Sequence, residues 1–328
     1  MERPSEPKLC FILGILQRSG TNHIYRLLRE HPHCAGPEII REDFFVQHSN
    51  ILNEYAHILY KTWNPKWEVD KKIGPPETLV RYFGDAIHRF LTLQLTTASV
   101  PQLAFEPGLT EGDEPKILLS KTPSVEGLEH FFVLFPEAYL IVIVRDGRAV
   151  VESGARSFDW KYEDAMQKWN AGARAILDLK EKYAKSNKKL LIVRYEDLVT
   201  DEKGELLKIF DFLGLAPELF DFDAAQSLGI TGSSEIRQQT GTVHWQTVEK
   251  PKDFNPLTRF SNWDRKKHER FNWIAGRSMS RLGYELDAMS YNKPLAIMRN
   301  VFFDLKWIVK TIGFKIAREV VRSARRIR

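Results

Sequence analysis

The first apolar run of this chain, together with the loop after it, most constrains the fold. Leu9–Leu16 is almost wholly apolar, which predicts a buried strand, and the octapeptide Gln17–Ile24 follows directly and opens a helical pattern. In a strand–loop–helix unit, the backbone N–H groups and the dipole of the helix favour an anion. The hydroxyls of Ser19 and Thr21 and the charge of Arg18 strengthen that preference. This loop therefore predicts a site for a phosphorylated or similar anionic ligand.

Strands and helices alternate along the rest of the chain. Apolar runs predict further buried strands at Ile117–Leu119, Tyr139–Val144 and Leu190–Val193, and helical patterns lie at 21–30, 147–157, 162–185, 202–213 and 265–282. Strands buried on both faces belong to parallel sheets that helices cover. We therefore expect an α/β fold of three layers with a central parallel sheet, a P-loop-like arrangement that binds ligands at the carboxyl ends of its strands.

Two later segments also follow predicted strands. Arg145 and Ser153 lie eight residues apart, so a strand end and the second turn of the next helix can converge on one anion. The same segment also fits an ordinary helix N-terminus that Asp146 caps, with Arg148 in solvent. Tyr195, at the end of the third long strand, offers a flat ring to a nucleotide base.

The positive charge of the chain is concentrated at its C-terminus. Residues 297–328 hold nine Lys or Arg and two Asp or Glu, so this segment accounts for the whole net charge of +5. A nearly neutral body disfavours nucleic acid as a partner. Within 297–328, apolar residues recur at steps of three and four, which predicts an amphipathic helix over 291–328. Peripheral contact of 297–328 with an anionic membrane and packing of this helix on the body both fit the pattern.

The sequence also carries expectations about location and organisation. Cys10 and Cys34 are the only cysteines, which favours a reducing compartment over a disulfide framework. The polar start before the first strand predicts neither signal peptide nor N-terminal anchor. We expect a cytoplasmic protein with one domain at 1–290. If 297–328 adsorbs to a membrane, we expect the protein to be membrane-peripheral. Residues 44–110 are rich in aromatic side chains and predict a helical insertion on the acceptor side of the site, where a second ligand would bind. The composition of residues 231–263 predicts a long irregular segment.

Taken in order, the three segments resemble the sulfotransferases that use 3′-phosphoadenosine 5′-phosphosulfate (PAPS). That family holds the 5′-phosphosulfate in a [Lys/Arg]-Ser-Gly-Thr loop and the 3′-phosphate with an Arg and a Ser eight residues apart. A Tyr-Glu-Asp-Leu element then precedes a helix that ends in Phe-Leu-Gly. The resemblance spans about residues 9–285, and the Arg at the start of the loop is more similar to the tyrosylprotein, carbohydrate and bacterial branches than to the cytosolic Lys branch.

The resemblance implies roles for single residues. Those implied to hold the 5′-phosphosulfate are Arg18, Ser19, Gly20, Thr21 and Asn22. Those implied to lie at the 3′-phosphate and the adenine are Arg145, Ser153, His23 and Tyr195. Arg18 would also stabilise the charge that develops on the leaving phosphate, with Lys121 near the acceptor.

The choice of a candidate general base rests on the resemblance to one branch of the family. Cytosolic members place a His where this chain has Pro123. The segment from His31 to Glu38 resembles the one in which a Glu of tyrosylprotein sulfotransferases takes the acceptor proton. Glu38 is therefore our first candidate, with Glu42 and Asp43 next. No Cys/His pattern supports a metal site, so none is expected.

Three functions fit the sequence. The first is a PAPS-dependent sulfotransferase acting on a hydroxyl or amine of a small-molecule, carbohydrate or lipid acceptor. The second is a P-loop-like small-molecule kinase, which the missing Lys after Gly20 disfavours. The third is a non-catalytic, membrane-peripheral nucleotide-binding protein. The pattern does not predict an oligomeric state.

Overall fold

The fold is known from a computed structural model that describes residues 7–37, 40–96, 116–229, 249, 255–286 and 294–326. The strands are β1 (Lys8–Gly14), β2 (Cys34–Ala35), β3 (Ile117–Thr122), β4 (Tyr139–Val144) and β5 (Leu190–Arg194). The helices are α1 (Thr21–Arg29), α2 (Ser49–Thr62), α3 (Val69–Lys72), α4 (Pro76–Thr96), α5 (Phe131–Leu134), α6 (Gly147–Phe158), α7 (Tyr162–Tyr183), α8 (Tyr195–Thr200), α9 (Glu202–Leu213), α10 (Phe222–Gln226), α11 (Arg265–Arg281) and α12 (Pro294–Arg326).

The strands form one parallel sheet in the order β2-β3-β1-β4-β5. Alternate residues of β1 enter two different cores, because successive side chains of a strand point to opposite faces. Phe11 and Leu13 pack with α6, α7 and α11, whereas Cys10 and Ile12 pack with α1, α8 and α9. This confirms the expected three-layer α/β fold with a central parallel sheet.

The β1/β4 pair marks the point where the chain changes sides. The helix after β1 covers one face of the sheet, and the helices after β4 cover the other. The carboxyl ends of two adjacent strands whose connections leave on opposite faces border a crevice, which is where such sheets bind ligands. The loops that begin at Ile15 and Arg145 therefore open into the same crevice.

Local signals set the start of α6 and both ends of α9. Asp146 Oδ1 accepts a hydrogen bond of 2.8 Å from the backbone N–H of Arg148 and caps α6. Asp201 caps α9 in the same way through Gly204. Gly214, with φ +70°, ends α9 in the left-handed conformation that glycine adopts without steric cost.

Three details differ from the expectation. The run 190–193 was expected to be buried on both faces, but β5 is an edge strand and Leu190, Leu191 and Ile192 are half-buried. β2 is only two residues long and leaves no periodic pattern to detect. Tyr195 is not the last residue of a strand but the first residue of α8.

The described part of the segment 44–110 is mainly helical. α2 and α4 pack on each other, and α4 also packs on α5. Residues 97–115 lie outside the described residues. The role of the segment on the acceptor side stays a prediction.

The C-terminal segment forms the long helix α12. Polar contacts fasten it to α7 and α11, with Asn300 fully buried and Arg270 donating to its carbonyl at 3.1 Å. Among the residues that the structure describes, no helix is both long and apolar enough to cross a bilayer.

Candidate active site

The β1–α1 loop is closed by its own serine. Ser19 Oγ, fully buried, donates to Leu16 O at 2.5 Å and accepts from Leu16 N–H at 3.3 Å. Arg18 and Gly20 both have left-handed backbones, with φ +76° and +101°. Non-glycine residues in that region are uncommon and cluster at functional sites. The loop is therefore held in a specific, strained shape where α1 begins without a side-chain cap.

Arg145 ties this loop to the end of β4. Its side chain is 4% exposed. Nη1 donates to Arg18 O at 2.7 Å, and Nη2 donates to Pro256 O. Nε is buried and has no hydrogen-bond partner among the described residues. A buried N–H without a partner costs about 1–3 kcal/mol, so this donor is suited to an anionic ligand.

Ser153 is the point where cationic side chains converge. Its buried Oγ accepts hydrogen bonds of 3.0 Å from both Arg18 Nε and Arg259 Nη1. The two predicted phosphate-binding segments thus meet in one cluster, with Arg18 bridging them. Arg259 was missed by the sequence reasoning, which treated its surroundings only as an irregular segment. No motif that the sequence reasoning recognised contains Arg259.

Tyr195 provides a flat surface beside this cluster. Its buried ring lies 4.7 Å from the Arg145 guanidinium carbon. The same ring packs against Gly20 so closely that a Cβ there would lie 2.3 Å from Tyr195 Cδ2. The ring of His23 lies 6.3 Å away at 73°, and His23 Nε2 is 3.4 Å from Glu202 Oε2. The two residues predicted at the adenine are therefore neighbours.

A second group of polar side chains lies at the end of β3. The Lys121 ammonium donates to Asn22 Oδ1 and lies 5.4 Å from the ring centroid of Tyr25. Burial lowers the pKa of Lys121, and the nearby carboxylates Glu42 and Asp43 partly oppose that shift. Lys121 therefore contacts Asn22 in the first turn of α1 and interacts electrostatically with Glu42 and Asp43.

The two carboxylates differ in their hydrogen bonds. Asp43 accepts from Ser120 Oγ at 2.5 Å, from Thr122 Oγ1 at 3.0 Å and from Phe45 N–H at 2.9 Å, so its oxygens hold the chain against β3. Burial raises the pKa of Asp43. Glu42 is half-buried, and burial raises its pKa while Lys121 opposes the shift. A raised pKa brings a carboxylate nearer to the range of a useful general base.

The structure corrects the alternative interpretation of 145–153. Asp146 does cap α6, but Arg148 is buried rather than in solvent. Its guanidinium pairs with Asp146 Oδ2 at 2.7 Å and lies 4.3 Å from the ring centroid of Phe260. Arg148 thus fastens the segment around 260 to α6, which places Arg259 against Ser153.

Glu196 has a positioning role near the same crevice. Its Oε1 accepts from Asp146 N–H and its Oε2 accepts from Tyr284 OH, both at 2.9 Å. Burial raises the pKa of Glu196, and these hydrogen bonds oppose the shift. The acid after Tyr195 therefore joins α8 to the start of α6 and to the chain that follows α11.

These residues suit a ligand that carries several negative charges beside a flat ring. The start of α1 has no side-chain cap, guanidinium groups converge on Ser153, and the Tyr195 ring lies 4.7 Å from the Arg145 guanidinium carbon, which is an arrangement that favours an anion. Glu38 lies outside the described residues. Within the described ranges, no three His, Cys, Asp or Glu side chains lie together so as to hold a metal ion.

The sequence of the chain matches that of a known protein family. Residues 10–218 match the model described as "Sulfotransferase family", which is more than half of the chain. The matched stretch contains the β1–α1 loop, Lys121, Arg145, Ser153 and Tyr195.

Three individual relatives are between 22% and 28% identical to this chain. The chain is 28% identical over 211 residues to protein-tyrosine sulfotransferase A of Caenorhabditis elegans, covering 62% of this chain and 49% of that protein. It is 25% identical over 214 residues to protein-tyrosine sulfotransferase 1 of Danio rerio, covering 62% and 59%. The match therefore spans about half the length of these curated relatives. Among solved structures, the sulfotransferase domain of the Synechococcus PCC 7002 olefin synthase has a TM-score of 0.41 at 22% identity, covering 92% of this chain and 98% of that one.

Proposed function

This chain belongs to the sulfotransferase family, and on that premise we propose that it transfers a sulfuryl group from PAPS to a hydroxyl or amine of an acceptor. The observation that carries the proposal is the convergence of Arg18 and Arg259 on Ser153, with Arg145 holding the backbone of Arg18. Three guanidinium groups at the switch point of a parallel sheet favour a ligand with several negative charges.

PAPS, when bound, supplies the sulfuryl group, whose bond to the phosphate oxygen breaks as a bond to the acceptor oxygen or nitrogen forms. We assign the start of α1, with Arg18, Ser19, Gly20, Thr21 and Asn22, to the 5′-phosphosulfate. We assign Arg145, Ser153 and Arg259 to the 3′-phosphate and His23 and Tyr195 to the adenine. These assignments rest on the family pattern and on the proximity of the side chains.

Arg18 is suited to stabilise the leaving phosphate. It lies in the loop at the start of α1, the segment that we assign to the 5′-phosphosulfate. A fixed cation stabilises charge that develops on the leaving oxygen more than it stabilises the ground state, which raises the rate. We assign Lys121, whose ammonium donates to Asn22 Oδ1, to the acceptor side of the site on the family pattern.

The proton of the acceptor must pass to a base. Glu38 stays our first candidate on the family pattern, and Glu42 is the described carboxylate with a raised pKa beside Lys121. Asp43 is less suited because three hydrogen bonds already engage its oxygens. Glu38→Gln and Glu42→Gln separate the candidates: the base variant loses turnover while its affinity for adenosine 3′,5′-bisphosphate stays that of the wild type.

The acceptor class is open to direct assay. The proposed classes are small molecules, carbohydrates and lipids, and the names of the two relatives add peptidyl tyrosine. Turnover of labelled PAPS across a panel of these acceptors identifies the class. Binding of the nucleotide without turnover on any acceptor would favour a non-catalytic protein. The cytoplasmic location stays a prediction.

Calorimetric titration with adenosine 3′,5′-bisphosphate tests the donor. We expect binding by the wild type, and binding that is about tenfold to a hundredfold weaker in Arg145→Ala, since hydrogen bonds to charged groups contribute about 1.5–3 kcal/mol. Arg174→Ala, an exposed position on α7, is the matched control and should bind like the wild type. Tighter binding of ATP than of the bisphosphate would favour the kinase alternative and contradict the proposal.

A further inference from the structure

The helix α12 lies on the body of the protein through its polar side. Asp304 accepts from Arg270 at 2.7 Å and from the Trp273 indole at 2.9 Å. One turn further on, Trp307 donates to Asp164 at 3.2 Å, and Lys310 pairs with the same carboxylate at 2.6 Å. These partners belong to α7 and α11. The polar contacts fix which side of α12 faces the protein.

The opposite side of α12 is apolar and faces outward. Met298, Phe302, Leu305 and Val309 are between 58% and 70% exposed, and they recur at steps of four, three and four residues. At 3.6 residues per turn these positions form one stripe along the helix. An amphipathic helix normally buries its apolar stripe against its own protein, so this orientation is inverted. Contiguous exposed apolar surface of this kind marks an interaction site.

Charge indicates what covers the stripe. Lys306 is exposed beside it, and Asp304, the only acidic residue within 294–313, is engaged by the body. The remaining helix sequence, 314–326, adds five basic residues and one acidic residue. A second copy of this helix would bring like charges together, whereas an anionic surface complements them.

We propose that the outward face of α12 binds the surface of anionic phospholipid bilayers, with the apolar stripe at the level of the headgroups and acyl chains. Apolar area and basic residues together determine the strength of such binding. The polar anchors to α7 and α11 then hold the catalytic domain against the membrane in one orientation. This proposal does not depend on the identity of the sulfuryl acceptor or on PAPS.

Sedimentation of the full chain with vesicles tests the proposal. We expect binding to vesicles of equimolar phosphatidylcholine and phosphatidylserine, and weaker binding to phosphatidylcholine alone. Phe302→Gln with Leu305→Gln should weaken binding to the mixed vesicles at least about tenfold, because burial of each side chain is lost. Lys306→Gln should weaken it about fivefold on the mixed vesicles only.

The matched control is Leu207→Gln with Leu219→Gln, two exposed leucines outside α12, which should bind vesicles like the wild type. Thermal unfolding of each variant shows whether it is folded. Equal vesicle binding by wild type and the Phe302/Leu305 variant would overturn the proposal. So would equal binding to both vesicle types. A wild-type dimer that this variant dissociates, with no vesicle binding, would assign the stripe to a second copy instead.

Discussion

Gly20→Ala is the most informative single substitution in the β1–α1 loop. Gly20 has φ +101°, and a Cβ built there lies 2.3 Å from Cδ2 and 2.6 Å from Cε2 of Tyr195. Ordinary van der Waals contact begins near 3.4 Å. The new methyl group must therefore displace the Tyr195 ring by about an ångström or change the shape of the loop.

The expected loss of folding stability in Gly20→Ala has two parts. A left-handed backbone costs an L-residue about 1–2 kcal/mol, and an extra methyl group in a well-packed site costs about 1–3 kcal/mol. The free energy of unfolding should thus fall by roughly 2–5 kcal/mol, a large part of the 5–15 kcal/mol typical of a domain. The affinity for adenosine 3′,5′-bisphosphate should fall as well, because the displaced ring lies over Arg145.

Gly214→Ala is the matched control for the backbone part. Gly214 has φ +70°, and nothing lies within 4 Å of a Cβ built there. Urea unfolding should therefore show only the backbone cost, about 1–2 kcal/mol, with an unchanged affinity for the bisphosphate. The difference between the two variants measures the collision with Tyr195.

A double-mutant cycle isolates that collision. In a Tyr195→Ala background the ring is gone, so Gly20→Ala should cost no more than Gly214→Ala does in the wild type. If Gly20→Ala costs the same with and without the Tyr195 ring, the packing of this ring on the loop is not what constrains Gly20, and the reasoning is refuted.

Three further predictions concern Arg18 and Arg145, the carboxyl group of Glu42, and the two cysteines. Arg18→Ala should lower kcat more than nucleotide affinity, and Arg145→Ala should do the reverse; equal effects on both parameters in both variants would contradict the assigned roles. The raised pKa of Glu42 means that its contribution to stability is fully present below its ordinary value of 4.5 and is lost as pH rises through the raised value. Glu42→Gln should therefore be more stable than wild type in urea at neutral pH, with a difference that shrinks in acid; a difference that grows in acid would reverse the sign. Burial raises the pKa of Cys34 to about 12 and that of Cys10 well above its ordinary range, so iodoacetamide should label neither thiol at neutral pH until urea unfolds the chain, as intact mass spectrometry can show.

The main strands and helices could be predicted because their signals are local. Tyr139–Val144 and the helix at 202–213 have the bounds that their patterns indicate. The edge position of β5 could not be predicted, since Leu190, Leu191 and Ile192 are as apolar as the residues of a central strand. β2 is too short for any periodicity, and it forms only because β3 offers a pairing edge.

The residues of the candidate site also fall into those that the sequence could predict and those that it could not. The family pattern led to Arg18, Arg145, Ser153 and Tyr195, and the structure brings these four residues together. Arg259 was missed because it lies 106 residues from Ser153 along the chain and in no recognised motif. The alternative interpretation of 145–153 put Arg148 in solvent, but Phe260 covers it, and no local pattern encodes that contact.

The amino-acid sequence by itself determined the strand–loop–helix units, the sites of the helix caps and the presence of two different faces on α12. These features depend on residues within a few positions of one another. Only the tertiary structure decided that Arg18 connects the β1–α1 loop to Ser153 of α6, that Lys121 contacts Asn22 and that the apolar face of α12 points outward. The physical reason is that periodicity shows which residues share a face, whereas packing against distant elements decides which face the protein covers.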